Sequence, residues 1–339
     1  MDPRLASSSP LWSLLMFFIV CPEIMAAPAG TSLSPSQAAA LLYPGADRAG
    51  PPSAEAARAL VSCASYPVSE RIPCLLRRRY SRDGAASRLA LRVFERSGSV
   101  AGLEPARRMH GGWRGQLRLI PALPVGPWRR HLAYLAEAME DFHRFFSALE
   151  AAARPRGSVV RYRWRDLALR FFQSVGKRTP SAYADGWTVA WNVNGSLLGS
   201  ASGARETLFH EIFHLNDAHH GDWSRKSLGA QYQSILSRCT RGQGKRARLL
   251  DSCLAPFAPH RTRVRGQTYY AFHPESGVWE YGAELAVRYY LEQRAAQAGK
   301  PPRAPFKCQA PENQKAWDAL AREFFGGVDG LGPCKAAPP

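Results

Sequence analysis

His210-Glu211-Ile212-Phe213-His214 is the stretch on which the reading of this 339-residue chain turns. Residues four apart lie about one helical turn from each other. On a helix the two imidazoles therefore project from one face and can close on a single metal ion, with the intervening glutamate beside it as a candidate base. The flanking sequence agrees with a helix. Leu208, Ile212 and Leu215 recur at intervals that make an apolar stripe, while His210, Glu211 and His214 fall on the adjoining face. Ser202 and Gly203 precede this run and Gly221 follows it, which bounds a helix over about residues 204–219. Upstream, Trp187-Thr188-Val189-Ala190-Trp191-Asn192-Val193 is rich in aromatic and β-branched residues and runs into Asn194-Gly195, which predicts a strand and a turn. That strand is expected to offer an exposed edge along which an extended peptide could lie.

A catalytic centre built this way takes a third protein ligand and leaves one position to water. Two residues compete for the place. His220 stands six residues beyond His214, the spacing of HExxHxxGxxH, but Asp217 occupies the glycine position of that pattern and no methionine follows Met139 to build its Met-turn. The second is Glu280, in Trp279-Glu280-Tyr281-Gly282-Ala283-Glu284, where a second helix would set Glu280 and Glu284 one turn apart on the same face. Glu280 would bind the metal, and Glu284 would accept a hydrogen bond from the outward ring nitrogen of a ligand histidine. Asp217, near the end of the first helix, either orients His214 or caps local backbone. The other histidines, including His260, occur singly and without ligand spacing.

HExxH followed some tens of residues later by Glu-x-x-x-Glu is similar to the gluzincin arrangement, and Glu280 to Glu284 resembles most the zinc domain of anthrax lethal factor and its bacterial relatives. The resemblance covers about residues 205–290. It implies an α+β, zincin-like metallopeptidase fold: a mixed sheet, an active-site HExxH helix and a second ligand-bearing helix. It also implies one Zn2+ held by His210, His214 and Glu280, with Glu211 as general base. A Tyr-Ala pair ahead of the ligand glutamate assists the developing oxyanion in that family, and Tyr270-Ala271 is similar, at a longer spacing; Tyr269 and His273 are the alternatives. The implied activity is hydrolysis of peptide bonds in a peptide or protein substrate. Two rival classes stay open: a zinc hydrolase of a cell-envelope amide, and a noncatalytic zinc-binding protein that keeps the shell.

The N-terminus has the layout of a secretory signal peptide over residues 1–29: Arg4, an apolar run from Leu11 to Val20, then small residues around Ala27-Pro28-Ala29. Export to the medium or the periplasm is therefore expected. Beyond Cys21 six cysteines remain, and six allow 15 connectivities. The simplest framework closes three short loops, Cys63–Cys74, Cys239–Cys253 and Cys308–Cys334. None has CxxC spacing, so disulfides in an oxidising compartment are favoured over a structural zinc site. The net charge of +18 is spread along the chain, with denser arginine stretches such as Arg77-Arg78-Arg79, and no nucleic-acid module accompanies it. Anionic envelope polymers or a lipid surface are the nearer partners.

Residues 30–84 read as an Ala/Pro-rich N-terminal segment with short helices over 37–42 and 54–61, and residues 85–339 as the catalytic domain. Within it, Leu89–Phe94 and Gln116–Ile120 alternate like strands. Leu132, Leu135, Met139, Phe142, Phe146 and Leu149 predict one long amphipathic helix ending before Pro155, and a terminal helix is expected over 312–325.

Overall fold

The computed structural model describes residues 32–45, 53–110, 115–242, 248–263, 268–274 and 277–334. The expected signal peptide, residues 1–29, lies outside them.

Four helices come first: α1 (Pro35–Leu42), α2 (Ala54–Cys63), α3 (Val68–Arg79) and α4 (Gly84–Ser97). Strands β1 (Val100–Leu103), β2 (Arg107–His110) and β3 (Gln116–Pro121) precede the long helix α5 (Arg130–Ala153). Then β4 (Ala168–Ser174), β5 (Ala182–Asp185) and β6 (Thr188–Asn192) lead into α6 (Ala201–His219). The remainder comprises α7 (Gly229–Cys239), a small ladder of β7 (Thr240–Arg241) and β8 (Arg248–Leu249), α8 (Asp251–Leu254), α9 (Gly277–Gln297) and α10 (Pro311–Phe324). The architecture is mixed α+β.

The main sheet runs β2-β3-β4-β6-β5, with β1 also paired to β4. β4 is parallel to β1 and β6 and antiparallel to β3, while β5 is antiparallel to β6. Side chains alternate between faces. Leu169, Phe171, Val189 and Trp191 enter the main core, whereas Leu117, Leu119, Phe172 and Ala190 make a smaller cluster. The strand expected to be an exposed edge is β6, and here the expectation fails. β6 is internal, between β4 and β5, and all five of its residues are buried. A strand apolar on both faces suits a covered position, and the outermost place goes to β5.

Leu89–Phe94 is not a strand either; it belongs to α4. Asp83 accepts the Ala86 N–H at 3.0 Å, Gly98 closes the helix at φ 69°, and the buried set Ala86, Ala90, Val93 and Ser97 has helical spacing. The caps outside the alternating stretch settled its conformation. The expected α5 and terminal helix are present. The N-terminal segment contributes Leu41, Leu42, Leu75 and Leu76 to the same core as α5 and the sheet, and the Tyr80 hydroxyl donates to Ala101 O of β1 at 3.0 Å. Cys63–Cys74, Cys239–Cys253 and Cys308–Cys334 are bonded as expected. No helix among the described residues is long and apolar enough to cross a membrane.

An aromatic block lies where α5, α6 and α9 meet. Phe142, Phe145 and Phe146 of α5 surround Phe209 of α6 and Tyr290 of α9, whose rings stack with centroids 4.5 Å apart. Such pairs add roughly 0.5–1.5 kcal/mol each beyond burial. Phe209 directly precedes His210, so this packing fixes the helix that carries the histidines.

Candidate metal centre

α6 starts where the Ser200 hydroxyl accepts the Gly203 N–H at 3.1 Å. It is tied down along its length. The Tyr162 hydroxyl donates to Phe209 O at 2.8 Å, and Asn216 exchanges two hydrogen bonds with the Arg163 backbone, each 2.8 Å. With Leu208, Ile212 and Leu215 turned into the core, His210 and His214 share the remaining face.

α9 brings the carboxylates. Gly282 lies between Glu280 and Glu284, and a Cβ there would collide with the Ser224 hydroxyl and come within 3.1 Å of the Phe213 ring. Ser224 opens a π-helical turn, Ser224–Leu228, just after α6. The bare glycine therefore lets α9 approach both segments closely.

The result is a convergence of three donors from two helices. His210 Nε2 is 2.9 Å from Glu280 Oε2, His214 Nε2 is 3.4 Å from the same oxygen, and the two Nε2 atoms are 3.1 Å apart. An ion held tetrahedrally by N and O atoms at about 2.0–2.1 Å sets its ligands about 3.3 Å from one another, so the donor set fits one. Among the described residues this is the group able to hold a metal ion. No family model matches the chain, and neither does any curated protein or any solved structure.

Electrostatics favour a cation at this point. Burial by itself would lower the pKa of His210, but the hydrogen bond and charge of Glu280, with Glu211 and Glu284 adding, raise it to about 9. Burial would likewise raise Glu280, yet His214 and His210 hold it well below the usual carboxylate range. The glutamates around His210 favour positive charge at its ring, which a proton or a metal ion can supply.

Each expected residue has a definite place. Glu211 is buried and near enough to act on the His210 charge. Glu284, also buried, has Oε1 4.0 Å from His210 Nδ1: the expected side of the ring, at a separation longer than a hydrogen bond. Asp217 is taken up in capping, since its carboxylate accepts the Ser224 N–H at 2.6 Å. His220 leaves the site and pairs through Nδ1 with Glu323 at 2.6 Å. Of the tyrosines, Tyr270 sits beside His210 with ring centroids 6.1 Å apart, whereas Tyr269 receives a 3.2 Å hydrogen bond from Arg263, whose guanidinium also covers its ring. His273 ends the Tyr270–Phe272 turn, its N–H donating to Tyr270 O at 3.1 Å.

One residue set aside in the sequence is part of the surroundings. His260 faces Glu284 through Nδ1 at 3.4 Å and Glu206 through Nε2 at 3.6 Å. Glu206 sits one turn before His210, a spacing visible in the sequence, but nothing in the sequence ties His260 to either glutamate.

Proposed function

We propose that the chain is a zinc metallopeptidase of gluzincin type with a zincin-like fold, hydrolysing peptide bonds in peptide or protein substrates. The observation that carries this reading is the meeting of His210 and His214 with Glu280, in a helix whose HExxH motif sets Glu211 next to the same point. Two imidazoles and one carboxylate are the donor set of catalytic zinc peptidases, which keep a fourth position open. When bound, zinc supplies a Lewis acid and brings the pKa of a water molecule to about 7.

The protein's own residues do the rest. Glu211 takes the proton of the attacking water and returns it to the leaving amine. The Tyr270 hydroxyl donates to the carbonyl oxygen as negative charge develops there. Glu284, on the Nδ1 side of His210, would accept the Nδ1 N–H once the 4.0 Å gap between them closes, leaving the Nε2 lone pair for the metal. The three disulfides support a secreted or periplasmic protein. In that setting the basic surface has anionic envelope polymers or lipids to meet.

Elemental analysis of the purified protein beside its Glu280→Gln variant tests the reading. About one zinc per wild-type chain, lost in the variant, together with cleavage of a peptide library by the wild type alone, is the expected result. Zinc absent from both removes the proposal. Zinc present with every peptide uncut and an envelope amide hydrolysed would replace the substrate class.

A further inference from the structure

The geometry points to His260 as a positioning residue that ties the histidine helix, the glutamate helix and the Tyr270 segment into one unit around the metal site. This inference rests on the metallopeptidase reading and extends it to a residue outside HExxH and ExxxE.

Four contacts carry it. On one side of its ring, His260 Nε2 faces Glu206 Oε2 of α6 at 3.6 Å. On the other, Nδ1 faces Glu284 Oε2 of α9 at 3.4 Å and the Thr262 hydroxyl at 2.6 Å. Thr262 in turn accepts the Tyr270 N–H on its carbonyl at 2.8 Å. The imidazole thus bridges two carboxylates on different helices, and the residue two positions on holds the backbone of the tyrosine beside His210.

The bridge bears on the metal through Glu284. That carboxylate has one oxygen toward His210 Nδ1 and the other toward His260. Without His260, this buried carboxylate would lose its 3.4 Å partner and would be free to turn from His210. The Glu206 carboxylate is the largest influence raising the His260 pKa; burial opposes it, and Glu284 adds to it. The two glutamates thus favour the protonated ring, against burial, while the position of the ring is set by Glu206, Glu284 and Thr262.

Partners behind a ligand histidine are worth roughly 10–100-fold in metal affinity. Zinc affinity measured by competition with a chromophoric chelator should therefore fall by about that factor in His260→Ala. The visible spectrum of the cobalt-loaded protein should change with it, because the His210 ring is no longer held in one orientation. Added imidazole should restore both, a response that loss of general stability would not give. Glu206→Gln, which removes only the outer contact, should weaken zinc in the same direction while leaving the melting temperature of the metal-free protein near that of wild type, and it decides the question if His260→Ala does not fold.

Wild-type zinc affinity and an unchanged cobalt spectrum in folded His260→Ala overturn the inference and leave the metallopeptidase reading standing; if His260→Ala does not fold, the same result in Glu206→Gln does so. Failure of the wild-type chain to bind zinc removes both.

Discussion

Glu280 Oε2 lies 2.9 Å from His210 Nε2, although seventy residues separate them in sequence. The contact exists because two helices cross with a glycine between them, and it converts a local histidine pair into a three-donor site. Glu280→Gln keeps the size of the side chain and removes the charge. Its cost in metal affinity should exceed the roughly 10–100-fold loss typical of a residue behind the ligands.

Glu211 is next to the donors and is not one of them. Glu211→Gln should keep the fold and the bound zinc while lowering turnover about 10²–10⁴-fold, the usual weight of a general base. Zinc content and kcat measured on the same preparation check this, and undiminished turnover would remove the role.

Tyr269 and Tyr270 are adjacent in sequence and have different neighbours, Arg263 for the first and His210 for the second. Tyr270→Phe should lower kcat by about 10²–10³-fold, with zinc content and KM little changed, because it removes one donor to the developing oxyanion. Tyr269→Phe gives up a contact with Arg263 and should leave kcat near wild type. The reverse ranking would transfer the role to Tyr269.

Gly282→Ala tests how closely α9 is packed. In an unobstructed helix alanine is favoured over glycine by about 1 kcal/mol. Here the new methyl group meets Ser224 and Phe213, so overpacking should destabilise the metal-free protein by about 1–3 kcal/mol in urea unfolding. A gain in stability would mean that the helices are not in this contact.

His131 should make the protein acid-sensitive in a defined window. It is buried, with Trp191 Nε1 donating to Nδ1 at 3.3 Å and Nε2 set 2.9 Å from Val193 O, so Nε2 carries the proton of a neutral ring. Burial is the main cause that lowers its pKa from 6.5 to about 4, against the Val193 hydrogen bond. Between these values the unfolded chain binds a proton that the folded one does not. Stability therefore rises with pH through the window and is lost as pH falls from 6.5 toward 4, by up to about 3 kcal/mol from this group. In His131→Gln, unfolding free energies measured across that range should lose this part of the slope; an unchanged slope would assign it elsewhere.

Local spacing carried much of the site in the sequence. The four-residue interval in HExxH, and the same interval from Glu280 to Glu284, place each pair on one helical face before any packing is known, because helix geometry is a property of the backbone. The three disulfides were legible for a related reason: each closes the nearest available loop. Leu89–Phe94 misled because six alternating residues fit a strand as well as one side of a helix, and the caps at Asp83 and Gly98 lie outside them.

Contacts between distant segments were decided only in three dimensions. Six residues beyond His214, His220 turns to Glu323 of α10, while His260, with no motif of its own, comes to lie between Glu206 and Glu284. Which strand is internal was set in the same way, by β5 adding outside β6. The sequence determined which residues share a face, because the helix repeat is fixed by the chain itself; the tertiary structure decided which faces meet, because that depends on side chains packing across elements far apart in sequence.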